Sequence, residues 1–218
     1  IGADAARVRV VPAGLAVPSD DATRSPARSG RRERSAPYLL ALGAVEPRKD
    51  LPTLVKAFAE LSRTHGDLEL VVAGPDGWGE PAFRAAVEAS GVAGRVVRVG
   101  YLAEAERQSL LEGALALAYP SVYEGFGFPP LEAMAAGVPV VATSAGAVPE
   151  VVGDAAELVA PGDHEAMAAA LARVIDDDAL RARLVHCGRV RASSFSWESA
   201  AASMIDLYGV AARDRRAR

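Results

Sequence analysis

Glu124 and Glu132 stand eight residues apart, and between them lies Gly125-Phe126-Gly127-Phe128-Pro129-Pro130-Leu131. Carboxylates accept hydrogen bonds from vicinal hydroxyls, so two at this spacing could grip two sugars of one ligand. Gly125 and Gly127 permit backbone amides to approach that ligand closely. Pro130 fits the first turn of a helix, whose free N–H groups would form a natural anion site. A plainer reading makes Glu132 a first-turn residue that offsets the helix dipole and Glu124 a loop charge. The loop, the glycines and the paired carboxylates together favour a ligand site.

A second cluster of chemistry-bearing residues is Gly43-Ala44-Val45-Glu46-Pro47-Arg48-Lys49-Asp50. Arg48 and Lys49 together could neutralise a diphosphate, Arg through its planar fork and Lys as a point charge. The alternative is a pair of solvated charges, although cations are unfavourable where a helix starts. Lysine is scarce: of 24 basic residues only Lys49 and Lys56 are lysines. Gly74-Pro75-Asp76-Gly77-Trp78-Gly79 is read with equal weight as a phosphate cradle or as a tight turn covered by its tryptophan.

These loops need elements to hold them. Apolar runs predict buried strands at Tyr38–Leu42, Leu68–Ala73, Val96–Val99, Leu115–Tyr119 and Val138–Ala142, with a shorter one at Glu157–Val159 and another at Arg7–Val11. Most are apolar on both faces, as parallel strands covered by helices should be. Leu51, Leu54, Val55, Phe58 and Leu61 share one helical face. Further helices are predicted over Pro81–Ser90, Ala103–Glu112 and Leu131–Ala136, the last stopped by Gly137. Asp163, Asp177 or Asp178, and Ser196 cap three more, the final one running to about Val210. Repeated βα units of this length predict an α/β fold, a Rossmann-like doubly wound parallel sheet. In such sheets ligands bind beyond the C-terminal ends of the strands, where both clusters fall.

Composition narrows the function classes. Half of the 218 residues are hydrophobic, enough for one core, and a net charge of −4 argues against nucleic acid or anionic lipid as partner. One cysteine, Cys187, excludes a disulfide framework and a cysteine zinc site. No apolar run approaches the ~20 residues of a membrane span, so an integral membrane protein is not expected. The arginine-rich Thr23–Ser35 stretch is read as a mobile linker and Arg213–Arg218 as a frayed tail. The chain starts at Ile1 rather than Met, so the native N-terminus is expected to lie outside it. Neither G-x-G-x-x-G after a strand nor G-x-x-x-x-G-K-[ST] is present, which argues against a nicotinamide oxidoreductase and a P-loop NTPase.

The stretch from Glu124 to Gly137 resembles the E-x7-E signature of the large retaining glycosyltransferase family that includes bacterial mannosyltransferases and sucrose-type synthases, with the two-domain GT-B fold. Gly43 with Pro47-Arg48-Lys49-Asp50 resembles the family's phosphate-binding loop. Pro139–Ala142, Pro149–Ala156 and Ala192–Trp197 are similar to the family's later segments. Val10-Val11-Pro12-Ala13-Gly14 stands where the family has V-P-N-G, with Ala13 in place of Asn. His65, His164 and His186 match no family site.

The resemblance implies roles. Glu124 would hold donor-sugar hydroxyls and Glu132 the ribose hydroxyls of the nucleotide. Amides of Gly125, Phe126, Gly127 and Phe128, beside Leu131, would contact sugar and phosphate. Arg48 and Lys49, next to Gly43, would stabilise the departing diphosphate, and the base would lie near Val99, Tyr101 and Leu102. It implies no metal and no cofactor, and a GDP-, UDP- or dTDP-sugar as partner, with a lean toward GDP-mannose. It divides the chain into an interdomain strand and linker (1–36), a Rossmann-like donor domain (37–195), and a C-terminal helix (196–218). That helix would pack on an absent N-terminal acceptor domain. The expected protein is a bacterial, cytoplasmic hexosyltransferase, peripheral to the inner membrane face at most. Without the acceptor half this chain is expected to lack turnover. A non-catalytic nucleotide-sugar-binding module would carry the same motifs.

Overall fold

Tyr38–Leu42 forms β1, five apolar residues that are all buried. In the computed structural model, which describes residues 8–15 and 36–216, this strand is the middle of the molecule. The elements that follow are α1 (Leu51–Leu61), β2 (Glu69–Ala73), α2 (Glu80–Ala89), β3 (Val96–Gly100), α3 (Glu104–Glu112), β4 (Ala116–Tyr119) and α4 (Phe128–Ala135). The remainder are β5 (Val140–Thr143), α5 (Val148–Val152), β6 (Glu157–Val159), α6 (His164–Asp176), α7 (Asp178–Ser193) and α8 (Trp197–Arg216). All six strands run parallel in the order β3-β2-β1-β4-β5-β6.

Strand side chains alternate between faces, and β1 divides its residues between two cores. Leu39 and Ala41 join a cluster with Leu54 and Phe58 of α1 and Met167 and Leu171 of α6. Tyr38, Leu40 and Leu42 join Leu131 and Met134 of α4 and Ala192 of α7 on the other face. Burial of a Leu or Phe side chain contributes about 1.5–3 kcal/mol, so helix coverage on both faces is what stabilises the parallel sheet. The predicted α1 face is buried as expected: Leu51, Leu54, Val55, Phe58 and Leu61 all lie inside. Asp163 caps α6 by accepting from the Ala166 N–H at 2.9 Å, and Asp177 caps α7 through the Ala179 and Leu180 N–H groups.

The order reverses between β1 and β4. Chains leaving β1 proceed toward β2, while the chain leaving β4 proceeds toward β5. The two following loops therefore part and leave a crevice at the C-terminal strand ends, the place where such sheets bind ligands. Leu39 opposite Ala116 and Leu40 opposite Leu117 set that register.

Several expectations are corrected. Residues 8–11 form no strand, and Val8 and Val10 are exposed. Instead Leu15 donates its N–H to the Phe195 carbonyl at 2.7 Å, and Gly14 packs on Trp197 too closely for any side chain. Helix α4 starts at Phe128, three residues earlier than predicted, because Gly127 at φ 111 turns the chain first. Glu132 consequently lies in the second helical turn, not the first. Helix α5 is not among the predicted elements, and α8 runs to Arg216 rather than to about Val210. The arginine-rich 23–35 stretch lies outside the described residues.

Candidate active site at the sheet reversal

The crevice between the ends of β1 and β4 is lined by Gly43, Ala44, Lys49, Tyr119, Pro120 and Ser121. On the β1 side, Pro47–Lys49 form one turn of 3-10 helix. Asp50 then adopts a left-handed conformation, φ 44 and ψ 43, before α1 begins. It has the only positive φ among described residues other than glycine, and such strain concentrates at functional sites. The reversal carries Lys49 inward, and only 8% of it is exposed. Gly43, at φ 137, leaves room for the lysine stem: a Cβ there would lie 3.1 Å from Lys49 Cε.

On the β4 side, Glu124 is drawn into the crevice and is 9% exposed. Its Oε1 accepts from Lys49 Nζ at 2.6 Å and from Arg48 at 2.8 Å. Arg48 also donates to Glu46 at 2.8 Å. Two cations and two carboxylates thus form one network, and the loops are joined further by the Val122 N–H bonded to the Arg48 carbonyl at 2.8 Å. From behind, Gly146 at φ 55 presses on the Glu124 backbone, where a Cβ would meet the Glu124 carbonyl oxygen at 2.4 Å. The Ala147 N–H bonds that same carbonyl at 3.0 Å.

Tyr119 completes the cluster. Its hydroxyl accepts from Lys49 Nζ at 2.9 Å, and the ammonium also stands 4.6 Å from the ring centroid. Burial holds Lys49 below the usual lysine range, more strongly than Glu124 raises it. Burial would raise Glu124, but hydrogen bonding from Lys49 and the neighbouring charge and hydroxyls outweigh it and hold the carboxyl below its ordinary 4.5. Burial, and then the Glu124 charge, push the Tyr119 phenol up. The cluster therefore holds a carboxylate and a neutral phenol around a partly desolvated ammonium.

Helix α4 points its start at the same side of the sheet. Of the four amides that a helix start leaves unpartnered, two belong here to Pro129 and Pro130, which carry no N–H. Gly127 and Phe128 alone can donate from the helix start, with Gly125 and Phe126 preceding them on the loop. Open space surrounds Gly125, with no atom within 4 Å of where its Cβ would be. Phe126 packs between Phe128 and Phe195, with centroids 4.8 and 5.8 Å away. The Leu131 side chain is wholly buried in the core.

The sequence-predicted residues fall in two groups. Arg48, Lys49 and Glu124 meet in one network, with Gly43 beside the lysine stem. Glu132 stands apart from them, in an ion pair with Arg107 of α3. Val99, Tyr101 and Leu102 lie at the end of edge strand β3; Tyr101 is 80% exposed, while Val99 and Leu102 pack partly on the core. Trp78 is 78% exposed and covers no turn. Gly74, Gly77 and Gly79 are instead packed against residues 43–47, where a Cβ would meet backbone at 2.1 to 2.9 Å. Sequence reasoning missed Tyr119, Gly146 and Arg107. For Tyr119 a signal was present: it is the last residue of a strand whose end faces the crevice.

Among the described residues no helix is long and apolar enough to cross a membrane. The chain is 35% identical over 206 residues to the O-antigen chain mannosyltransferase B of Escherichia coli, covering 92% of this chain and 54% of that protein. Among solved structures, sucrose-phosphate synthase from Thermosynechococcus elongatus superposes with a TM-score of 0.77 at 29% identity, over 94% of this chain and 53% of the other. The C-terminal domain of a glycosyl transferase group 1 family protein from Francisella tularensis gives 0.66 at 26% identity, covering 72% of this chain and 85% of that one. The chain spans about half the length of the curated relatives it matches. The model of the family described as glycosyl transferases group 1 matches residues 24–191, and with the Rossmann-like sheet and these glycosyltransferase homologues it places the chain in that family.

Proposed function

We propose that this chain is the donor-binding half of a retaining hexosyltransferase, taking a nucleoside-diphosphate sugar into the crevice between β1 and β4. One observation carries the reading: Arg48, Lys49 and Glu124, from loops 75 residues apart, meet at the reversal of strand order. Arg48 and Lys49 meet the diphosphate. As the bond from the anomeric carbon to the phosphate oxygen breaks, negative charge grows on that oxygen, and fixed cations beside it lower the barrier. The diphosphate also replaces Glu124 as their counter-ion, which releases the carboxylate to accept from sugar hydroxyls. Glu132 accepts from the ribose, amides of Gly125 to Phe128 reach sugar and phosphate, and the base lies beside Val99, Tyr101 and Leu102.

The acceptor hydroxyl attacks on the face that the diphosphate leaves, so configuration is kept and the hydroxyl proton passes to the leaving phosphate. Similarity to the E. coli mannosyltransferase supports a mannosyl donor, with GDP-mannose ahead of UDP-glucose. The acceptor is selected by a second domain, and exposed Trp197, Ile205 and Tyr208 give α8 an apolar surface that would pack on it. On this reading the 218-residue chain binds the donor without turning it over.

Calorimetry with a nucleoside diphosphate and with its sugar conjugate tests the assignment. Glu132→Gln should weaken both ligands alike. Glu124→Gln should leave the bare diphosphate as tight or tighter and remove the extra affinity of the sugar. If Glu124→Gln weakens the bare diphosphate as much as Glu132→Gln does, the division between sugar and ribose is wrong.

A further inference from the structure

Glu132 is a partly buried glutamate in the second turn of α4, and without a partner its carboxylate could still choose among rotamers. Arg107 restrains it. The guanidinium donates through one terminal nitrogen to Glu132 Oε2, and both side chains are 24% exposed. Arg107 is itself held in place. Its helix α3 is capped by Glu106, which reaches back to the Ala103 N–H at 3.1 Å, and its other terminal nitrogen meets Glu104 at 3.4 Å. A planar guanidinium with fixed donors orients a carboxylate more tightly than a flexible ammonium does. An ionised carboxylate offers about four lone-pair positions. One contact from Arg107 to Oε2 leaves Oε1 and part of Oε2 for a ligand. With both side chains 24% exposed the pair also joins α3 to α4, so a structural contribution has to be separated from positioning by reading stability beside ligand preference.

We propose that Arg107 is a positioning residue, holding the Glu132 carboxylate where it accepts from both ribose hydroxyls, so that the site selects a ribonucleoside diphosphate over its 2′-deoxy analogue. The inference rests on the donor-site reading above and narrows it, since a dTDP-sugar lacks the 2′-hydroxyl and is disfavoured. A carboxylate free to rotate must first be immobilised to accept from both hydroxyls, which offsets much of the second hydrogen bond. A carboxylate already fixed keeps the full worth of that bond, so it loses more when the 2′-hydroxyl is missing.

The test is calorimetry of the 218-residue chain with GDP, UDP and the 2′-deoxy form of each. The unaltered protein should prefer the ribose form of its tighter ligand by about tenfold or more, the range expected for one hydrogen bond to a charged group. Arg107→Met should bring that ratio to within about threefold, chiefly by weakening the ribose form. Arg107→Lys should restore part of it, and in a Glu132→Gln background Arg107→Met should change the ratio no further. Melting temperatures read alongside separate these effects from misfolding. Equal weakening of ribose and deoxyribose forms by Arg107→Met would mean a direct phosphate contact or a structural staple, and would overturn the proposal. A ratio near one in the unaltered protein overturns it while the donor reading stands. Failure to bind any of the four ligands overturns both.

Discussion

Replacement of Lys49 by methionine removes one charge and keeps most of the stem that fills the space beside Gly43. The lysine side chain is 10% exposed, and its ammonium bonds Glu124 at 2.6 Å and Tyr119 at 2.9 Å. If the diphosphate takes the place of Glu124, the ligand gains one charge-assisted hydrogen bond, about 1.5–3 kcal/mol. That corresponds to a loss of roughly tenfold to a hundredfold in affinity. A nucleoside without phosphates never meets this nitrogen and should bind unchanged. The folding cost can be bounded from the same geometry. Orphaning a buried charge costs about 3–5 kcal/mol, but Glu124 here keeps Arg48 at 2.8 Å, so the loss should fall well below that range. Calorimetry with nucleoside and nucleoside diphosphate, with a denaturant melt of each protein, reads all three quantities. Equal weakening of the two ligands would refute the reasoning, because the lysine would then be structural.

Two further predictions concern the carboxylate that Lys49 holds. Because Glu124 titrates below its ordinary 4.5 in the folded protein, its stabilising contribution is complete above that value and drains away as pH falls through the folded one. The melting-temperature gap between the unaltered protein and Glu124→Gln should therefore narrow from about pH 6 to about pH 3; a gap independent of pH would argue against the ionised network. Gly146→Ala should cost about 1–3 kcal/mol through its left-handed backbone, and the 2.4 Å approach to the Glu124 carbonyl should carry into weaker nucleotide-sugar binding. Denaturant melts and sugar affinity that match the unaltered protein would rule this out.

Local pattern made the core elements legible. Tyr38–Leu42 was bounded correctly because five consecutive apolar residues have one place to go, the middle of a covered sheet. Short elements were not legible in the same way. Helix α5, Val148–Val152, is five residues long, with a proline near its start and Gly153 at its end, too few positions to show a period. The start of α4 was misread because Pro130 is acceptable anywhere in a first turn, while the earlier turn depends on the backbone of Gly127. For the site, the residue types that carry charge at the ligand edge could be named from their motifs. Their pairing could not. Arg107 and Glu132 are 25 positions apart, and Arg48 and Glu124 are 76 apart, so only the sheet order brings them together. Tyr119 looked like one more apolar strand residue, although its parity with Leu117 directs it to the face that Lys49 reaches.

The consecutive prolines at the start of α4 leave the helix only two amides to offer an anion, yet they alter what happens before any ligand arrives. Each ring fixes φ near −65°, as the first turn of a helix requires. Two positions of the unfolded loop have already lost most of the freedom that folding would otherwise remove. The start of α4 is therefore ordered in part by its own covalent structure, while Gly125 and Gly127 ahead of it keep the backbone freedom of glycine. A ligand that docks there meets a helix start already set, and spends less of its binding free energy on immobilising it.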